Sequence, residues 1–242
     1  MVELEPIAVG TELGAELPAR RIEVTLNGPY EVFGGLPLTP VTIVETPYGE
    51  PIDFRRGEPF ATGERYALCR CGRSATKPFC DASHERVGFD GTETADRTPR
   101  SERARLIRWH DVAFTDDQPL CTHAGYCGNR TTDVWTMVRS SDDPEVRGTL
   151  ERMVGLCPSG RLIMEPRPDD DPPGPAPGEI PPEILLEADG PIWVRGDVAI
   201  LAADGSTWER RERVALCRCG RSANKPFCNG THDEVGFRDG SH

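Results

Sequence analysis

Two stretches of this chain each carry three cysteines and a histidine at the spacing Cys-x-Cys-x8-Cys-x3-His. The sets are Cys69, Cys71, Cys80 and His84, then Cys217, Cys219, Cys228 and His232, offset throughout by 148 positions. The 27 residues around each set, Gly63 to Phe89 and Arg211 to Phe237, agree at 19 positions, which marks a duplication. Thiolates and imidazole at such spacing form the donor set of a metal centre. Two metals suit it. Zinc takes three Cys and one His in a closed tetrahedron, but its ligands usually arrive as pairs two to four residues apart. Cys-x-Cys is tighter. It places two thiolates on one iron and leaves the third Cys and the His for a second iron.

At these residues the chain resembles the CDGSH iron-sulfur family, of which mitoNEET is the best-known type. The family pattern is Cys-x-Cys-x2-Ser/Thr-x3-Pro-x-Cys-Asp-Gly-Ser/Ala/Thr-His. The first copy reads Cys69, Cys71, Ser74, Pro78, Cys80, Asp81, Ala82, Ser83, His84, and the second Cys217, Cys219, Ser222, Pro226, Cys228, Asn229, Gly230, Thr231, His232. Ala82 stands where the family has Gly, and Asn229 where it has Asp. Ala82 is strained if that position needs a positive φ. Asp81 and Asn229 can accept from backbone N–H groups at the start of a short helix holding the His. The resemblance implies a 2Fe-2S cluster in each copy, ahead of zinc, with Ser74, Pro78, Ser222 and Pro226 supporting the ligand loops.

Of nine cysteines, the repeats use six. Cys121, Cys127 and Cys157 remain, in LCTHAGYCG and GLCPSGRL. Cys-x5-Cys followed by a remote Cys-Pro is a ferredoxin-like arrangement in which Ala124 fills the slot of a middle Cys. Three thiolates with that slot empty resemble the small single-cluster ferredoxins that hold 3Fe-4S. His123, beside the empty slot, is a candidate fourth ligand that would complete 4Fe-4S. The strings Cys-x-His-Ala-Gly-x-Cys and Cys-Pro-Ser-Gly are similar to those of a divergent mono-cluster ferredoxin-like domain. The plainer alternative is that these three thiols only pack as small apolar groups.

A formal charge of −12 argues against nucleic acid, whose phosphates need a basic face. Arg70, Arg73, Arg218 and Arg221 run against that trend: they offset thiolate charge or present a positive rim to an acidic partner. Residues 1–20 hold four Glu and no apolar core of a signal peptide, and no run approaches a membrane span. Cysteines in a chain without an export signal read as metal ligands rather than disulfides, and the expected location is the cytoplasm.

The elements that must position these ligands follow from the pattern. IEVTL at 22–26, YEVF at 30–33 and VTIVE at 41–45 are β-rich runs broken by Gly and Pro. GPYEVFGG has a counterpart in GPIWVRGD at 190–197, and the first copy carries a 14-residue insertion near TPYGEPIDFRRGEP. Residues 91–102 read as a linker. In the middle unit a helix starts near Ser141, Asp142 and Asp143, with Pro144 in its first turn, and its Val146, Leu150, Met153 and Val154 share one apolar face. Pro158 stops it beside Cys157, and LIM at 162–164 reads as a strand.

The expected organisation is α+β. An N-terminal extension plus the first CDGSH-type unit spans 1–90, a small ferredoxin-like unit 103–165, a Pro-rich acidic tether 166–189 and the second CDGSH-type unit 190–242. By resemblance the two repeats pair as an intrachain pseudo-dimer. The function expected is electron transfer by an iron-sulfur protein rather than an enzyme, because no nucleophile–base pair or phosphate loop is evident. The partners expected are redox proteins, with no nucleic acid and no membrane. The alternatives are cluster storage or delivery to apo-proteins, and a zinc-stapled interaction protein. A His ligand raises a cluster's potential and leaves a ring that can protonate.

Overall fold

A computed structural model describes residues 17–165 and 180–240. The extension before residue 17, and 166–179 of the acidic tether, lie outside the described residues. The first half runs β1 (Arg21–Val24), β2 (Tyr30–Phe33), β3 (Leu38–Glu45), β4 (Pro51–Arg56), β5 (Arg65–Leu68) and α1 (Ser83–Arg86). The middle holds α2 (Arg100–Arg103), β6 (Arg105–Trp109), β7 (Val112–Asp116), α3 (Val134–Met137), α4 (Pro144–Gly155) and β8 (Leu162–Met164). The last part holds β9 (Glu183–Glu187), β10 (Ile192–Arg195), β11 (Ala199–Leu201), β12 (Arg213–Leu216) and α5 (Thr231–Glu234).

The two repeats exchange strands. One sheet has the order β11-β1-β2-β5, the other β12-β10-β9-β3-β4. β11 of the second repeat lies parallel to β1, with Ile22 opposite Ile200. In the mirror arrangement β3 of the first repeat lies parallel to β9, with Leu38 opposite Ile184. One apolar core follows, built from Ile22, Val32, Leu38 and Leu68 together with Ile184, Val194, Ile200 and Leu216. Alternation explains the sheet faces: Ile22 and Val24 of β1 are buried while Arg21 and Glu23 are only partly so.

The tether expected over 166–189 is corrected at its end. Ile184, Leu185 and Leu186 are buried on a central strand, because three consecutive apolar residues flanked by sheet partners fill both faces. Its Pro-rich and acidic composition hides that short run. The 14-residue insertion becomes the turn and outer strand of the β3–β4 hairpin, which lengthens the second sheet.

The middle unit has its own antiparallel sheet, β6-β7-β8, and its own core of Phe114, Val134, Leu150, Val154 and Leu162. Asp143 caps α4 by accepting from Glu145 N at 2.8 Å, with Pro144 at the first helical position. Among the described residues no helix is long and apolar enough to cross a membrane.

Candidate metal centres

Both repeat sets hang on the same frame. β5 and β12 end one residue before Cys69 and Cys217. Cys69 N donates to Pro78 O at 2.8 Å and Cys217 N to Pro226 O at 2.9 Å. Ser74 Oγ donates to Phe79 O at 2.6 Å and accepts from Thr76 N at 3.0 Å; Ser222 repeats this with Phe227 O at 2.7 Å and Asn224 N at 3.0 Å. These serines and prolines therefore close the loop that carries the thiols. α1 and α5 then present His84 and His232. Asp81 accepts from Ser83 N at 2.9 Å and Ala75 N at 2.8 Å, and these bonds hold its carboxyl well below the usual range. Asn229 accepts from Thr231 N at 3.3 Å. The residue between is left-handed in both copies, at φ 87° for Gly230 and 63° for Ala82, so Ala82 carries the strain that Gly avoids.

Each set is divided into two arms. Cys69 and Cys71 hold their sulfurs 3.8 Å apart, and Cys217 and Cys219 theirs 3.7 Å apart. Opposite them, Cys80 Sγ lies 3.4 Å from His84 Nδ1, and Cys228 Sγ 3.4 Å from His232 Nδ1. Among the described residues, no three Cys, His, Asp or Glu side chains are close enough to share a single ion. Backbone N–H groups point at the sulfurs: Arg73 N to Cys71 and Ala82 N to Cys80 at 3.4 Å, Gly230 N to Cys228 at 3.4 Å and Arg221 N to Cys219 at 3.5 Å. Such donors favour anionic sulfur.

Burial opposes that anionic form at several of these thiols. Burial pushes Cys71 up to about 11, raises Cys80 and holds Cys228 well above the usual thiol range. Cys217 and Cys219 share one sulfur–sulfur contact, which lowers the pKa of the first and raises that of the second, so the two do not ionise together. Buried sulfurs aimed at by N–H groups yet reluctant to ionise together fit a bound metal centre, which stabilises several thiolates at once. Burial also lowers the pKa of His232, against the pull of Asp233.

The two Cys-x-Cys loops abut. A Cβ on Gly72 would lie 2.7 Å from Cys219 O, and one on Gly220 would lie 2.7 Å from Cys71 O. A groove of about 660 Å³ runs beside them, lined by Cys71, Arg73, Phe89, Asp90, Arg221 and Lys225 among others. The positive rim expected of four arginines is corrected to two. Arg73 and Arg221 are exposed, whereas Arg70 and Arg218 are buried. Arg70 donates to Thr25 O at 3.0 Å and to Gly91 O; Arg218 donates to Gly190 O at 2.7 Å and pairs with Asp239. A buried guanidinium is tolerable only when carbonyls and carboxylates surround it in this way.

In the middle unit, Cys121 follows a single helical turn, Cys127 precedes α3 and Cys157 follows α4. Burial raises the Cys127 thiol, and Cys157 and Cys121 add to the rise, so the three sulfurs share one neighbourhood. Arg161, paired with Asp116 at 2.7 Å, lies against Cys121 and Cys127. His123, expected as a candidate fourth ligand, makes its contacts with the second repeat. It adopts φ 62° and lays its ring over Gly230, where a Cβ would lie 2.6 Å from Nδ1. Its Nδ1 is 3.9 Å from Asp233. Ala124, expected as an empty cluster corner, packs on the apolar cluster of Tyr126, Leu185, Trp193 and Cys228.

Motif reading missed two supports. Tyr30 reaches across the repeats to the second ligand loop, bonding Cys217 O and Pro226 O. Arg213 donates to Val154 O, Gly155 O and Cys157 O at 2.7–2.8 Å and to Leu162 O at 3.0 Å, which locks the Cys157 loop onto β12. For Tyr30 the signal available was asymmetry between otherwise matched repeats, since its counterpart is Ile192; Arg213 corresponds to Arg65, so the sequence carried no such mark for it.

Residues 27–85 and 189–233 both match the family described as iron-binding zinc finger CDGSH type. Residues 107–165 match the family described as divergent 4Fe-4S mono-cluster. No curated protein matches the chain.

Proposed function

We propose that this chain, an iron-sulfur protein with two CDGSH-type repeats and a divergent mono-cluster ferredoxin-like domain between them, carries electrons between protein partners. The observation that carries this reading is the two-armed division of each repeat set. Two sulfurs 3.7–3.8 Å apart suit one metal, a sulfur and an imidazole nitrogen 3.4 Å apart suit another, and no three donors meet at single-ion distances among the described residues. That favours 2Fe-2S over a single zinc. Cys69, Cys71, Cys80 and His84 hold the first cluster, and Cys217, Cys219, Cys228 and His232 the second. Cys121, Cys127 and Cys157 hold a 3Fe-4S or 4Fe-4S cluster; His123 ligates only if its ring leaves Gly230.

When bound, such clusters supply one-electron chemistry. The chain's part is to bury the sulfurs, aim N–H groups at them and keep an imidazole edge for protons. Arg73, Arg221 and Lys225 along the groove suit an acidic redox partner, on a chain whose overall charge is negative. The cytoplasm is the setting in which nine unpaired thiols persist. Cluster delivery to apo-proteins is the second reading, favoured by the part-exposed Cys80–His84 arm.

The test is iron, zinc and acid-labile sulfide per chain on anaerobically purified protein, with electron paramagnetic resonance in both oxidation states. About seven or eight iron atoms are expected, two per repeat and three or four in the middle. A colourless protein holding zinc and no sulfide overturns the reading.

A further inference from the structure

The repeats are nearly identical in sequence, yet their histidine arms meet different surroundings. The His84 side chain is 15% exposed and Cys80 is only part-buried, whereas His232 is 5% exposed and Cys228 2%. The loop bonds at Ser74 and Ser222, and the N–H groups aimed at Cys80 and Cys228, match between the repeats and do not explain this. What differs is a cover. The middle unit lays the His123 ring on Gly230, two residues from both Cys228 and His232. Ala124 and Tyr126 of the same loop join the apolar cluster that contains Cys228 and Trp193. Tyr126 Oη donates to Asp53 O at 3.0 Å, which pins the loop to the inserted hairpin.

We propose that His123 caps the second centre, so that the Cys80–His84 arm of the first is the port through which the protein exchanges with its surroundings. The sequence already encodes the difference. At Gly230 a Cβ would lie 2.6–2.8 Å from three atoms of the His123 ring, so only Gly lets the cap seat. The first repeat has Ala82 at the equivalent place, held at φ 63°. A methyl group stands there in place of a ring. The insertion that makes β4 and the left-handed backbone of His123 both serve the same contact. His123 is thus a positioning residue of the second centre: it excludes solvent and competing ligands from the arm that a partner would otherwise reach.

The inference rests on the metal-centre reading, but it fails independently of it. The experiment is pulse alkylation of the iron-loaded full chain. The protein is held with a ferrous chelator and iodoacetamide, and alkylation at Cys80 and Cys228 is followed by mass spectrometry of their separate peptides. Cys80 is expected to label several-fold faster than Cys228. His123→Gly, which suits the left-handed backbone, should speed Cys228 labelling several-fold and leave Cys80 unchanged. Gly230→Ala should act in the same direction by displacing the ring, and Ala82 shows that this loop accommodates Ala. Equal labelling of the two cysteines in the unaltered protein overturns the proposal. So does a slow Cys228 that neither variant moves. A protein without iron or labile sulfide instead removes the metal reading itself.

Discussion

The hydroxyl of Tyr30 lies 2.8 Å from the carbonyl oxygen of Cys217 and 2.9 Å from that of Pro226, although it comes from the first repeat and they come from the second. The ring is fully buried, and burial raises its phenol pKa well above the ordinary value. The second ligand loop is therefore held partly by its sister repeat. Tyr30→Phe removes the donor and leaves two buried carbonyls without it. A loss of about 1–3 kcal/mol in unfolding free energy is expected from denaturant titration. Relative to the parent, cluster loss should speed up at the second centre and stay unchanged at the first. A variant as stable as the parent would show that the hydroxyl is not what secures the loop.

The repeat histidines can be tested by exchange for the ligand they replace. His84→Cys or His232→Cys should keep a cluster, lower its potential and remove most of its pH response near neutrality. A thiolate adds negative charge and does not titrate as imidazole does. Protein-film voltammetry across pH reads both effects. Unchanged potentials and slopes in both variants would show that neither ring binds metal.

Glu187 predicts a pH dependence of stability. Its carboxyl is buried and accepts from Trp193 Nε1 at 2.8 Å. Burial is the main cause that pushes its pKa from 4.5 to about 7, with nearby Asp233 adding. Because the folded value lies above the unfolded one, the native state holds the extra proton between about pH 4.5 and 7. Stability should therefore fall as pH rises through that window and level off above it. Glu187→Gln keeps an acceptor for Trp193 without the charge. It should flatten this part of the profile and raise stability at pH 8 by on the order of a few kcal/mol. Melting curves from pH 4 to 9 decide, and an unchanged slope in the variant would exclude Glu187 as its source.

Local chemistry was legible in the sequence and the pairing of the repeats followed from their resemblance, but individual long-range contacts were not legible. The ligand spacing, the serines and prolines of the loops and the start of the helix near 141–143 all depend on residues within a few positions of one another. β9 was hidden because EILLE sits at the end of an acidic, Pro-rich stretch, and its partners β3 and β10 lie on either side of it in space. The contact of His123 with Gly230 joins residues 107 positions apart, so the slot at Ala124 drew attention to ligation while the neighbour across the fold left no mark. Arg70 and Arg218 looked like a charged rim because burial by backbone carbonyls leaves no mark in a one-residue pattern.

The middle unit should be separable from the repeats chemically, and Arg213 sets how far. Cys157→Ala removes a cysteine that belongs to neither repeat set, so on the proposed reading the middle signal in electron paramagnetic resonance should vanish while the two repeat signals remain. Arg213→Gln leaves every cysteine in place but takes donors from Val154 O, Gly155 O, Cys157 O and Leu162 O. Burial already lowers the Arg213 pKa, so this guanidinium is held in the interface by those carbonyls rather than by solvent. Its loss should cost several-fold in the retention of the middle cluster under a ferrous chelator, with the first repeat unaffected. If Cys157→Ala instead erases all three signals, the middle unit and the strand-exchanged repeats fold as one cooperative body, and Arg213 is a strut of the whole molecule rather than of one centre.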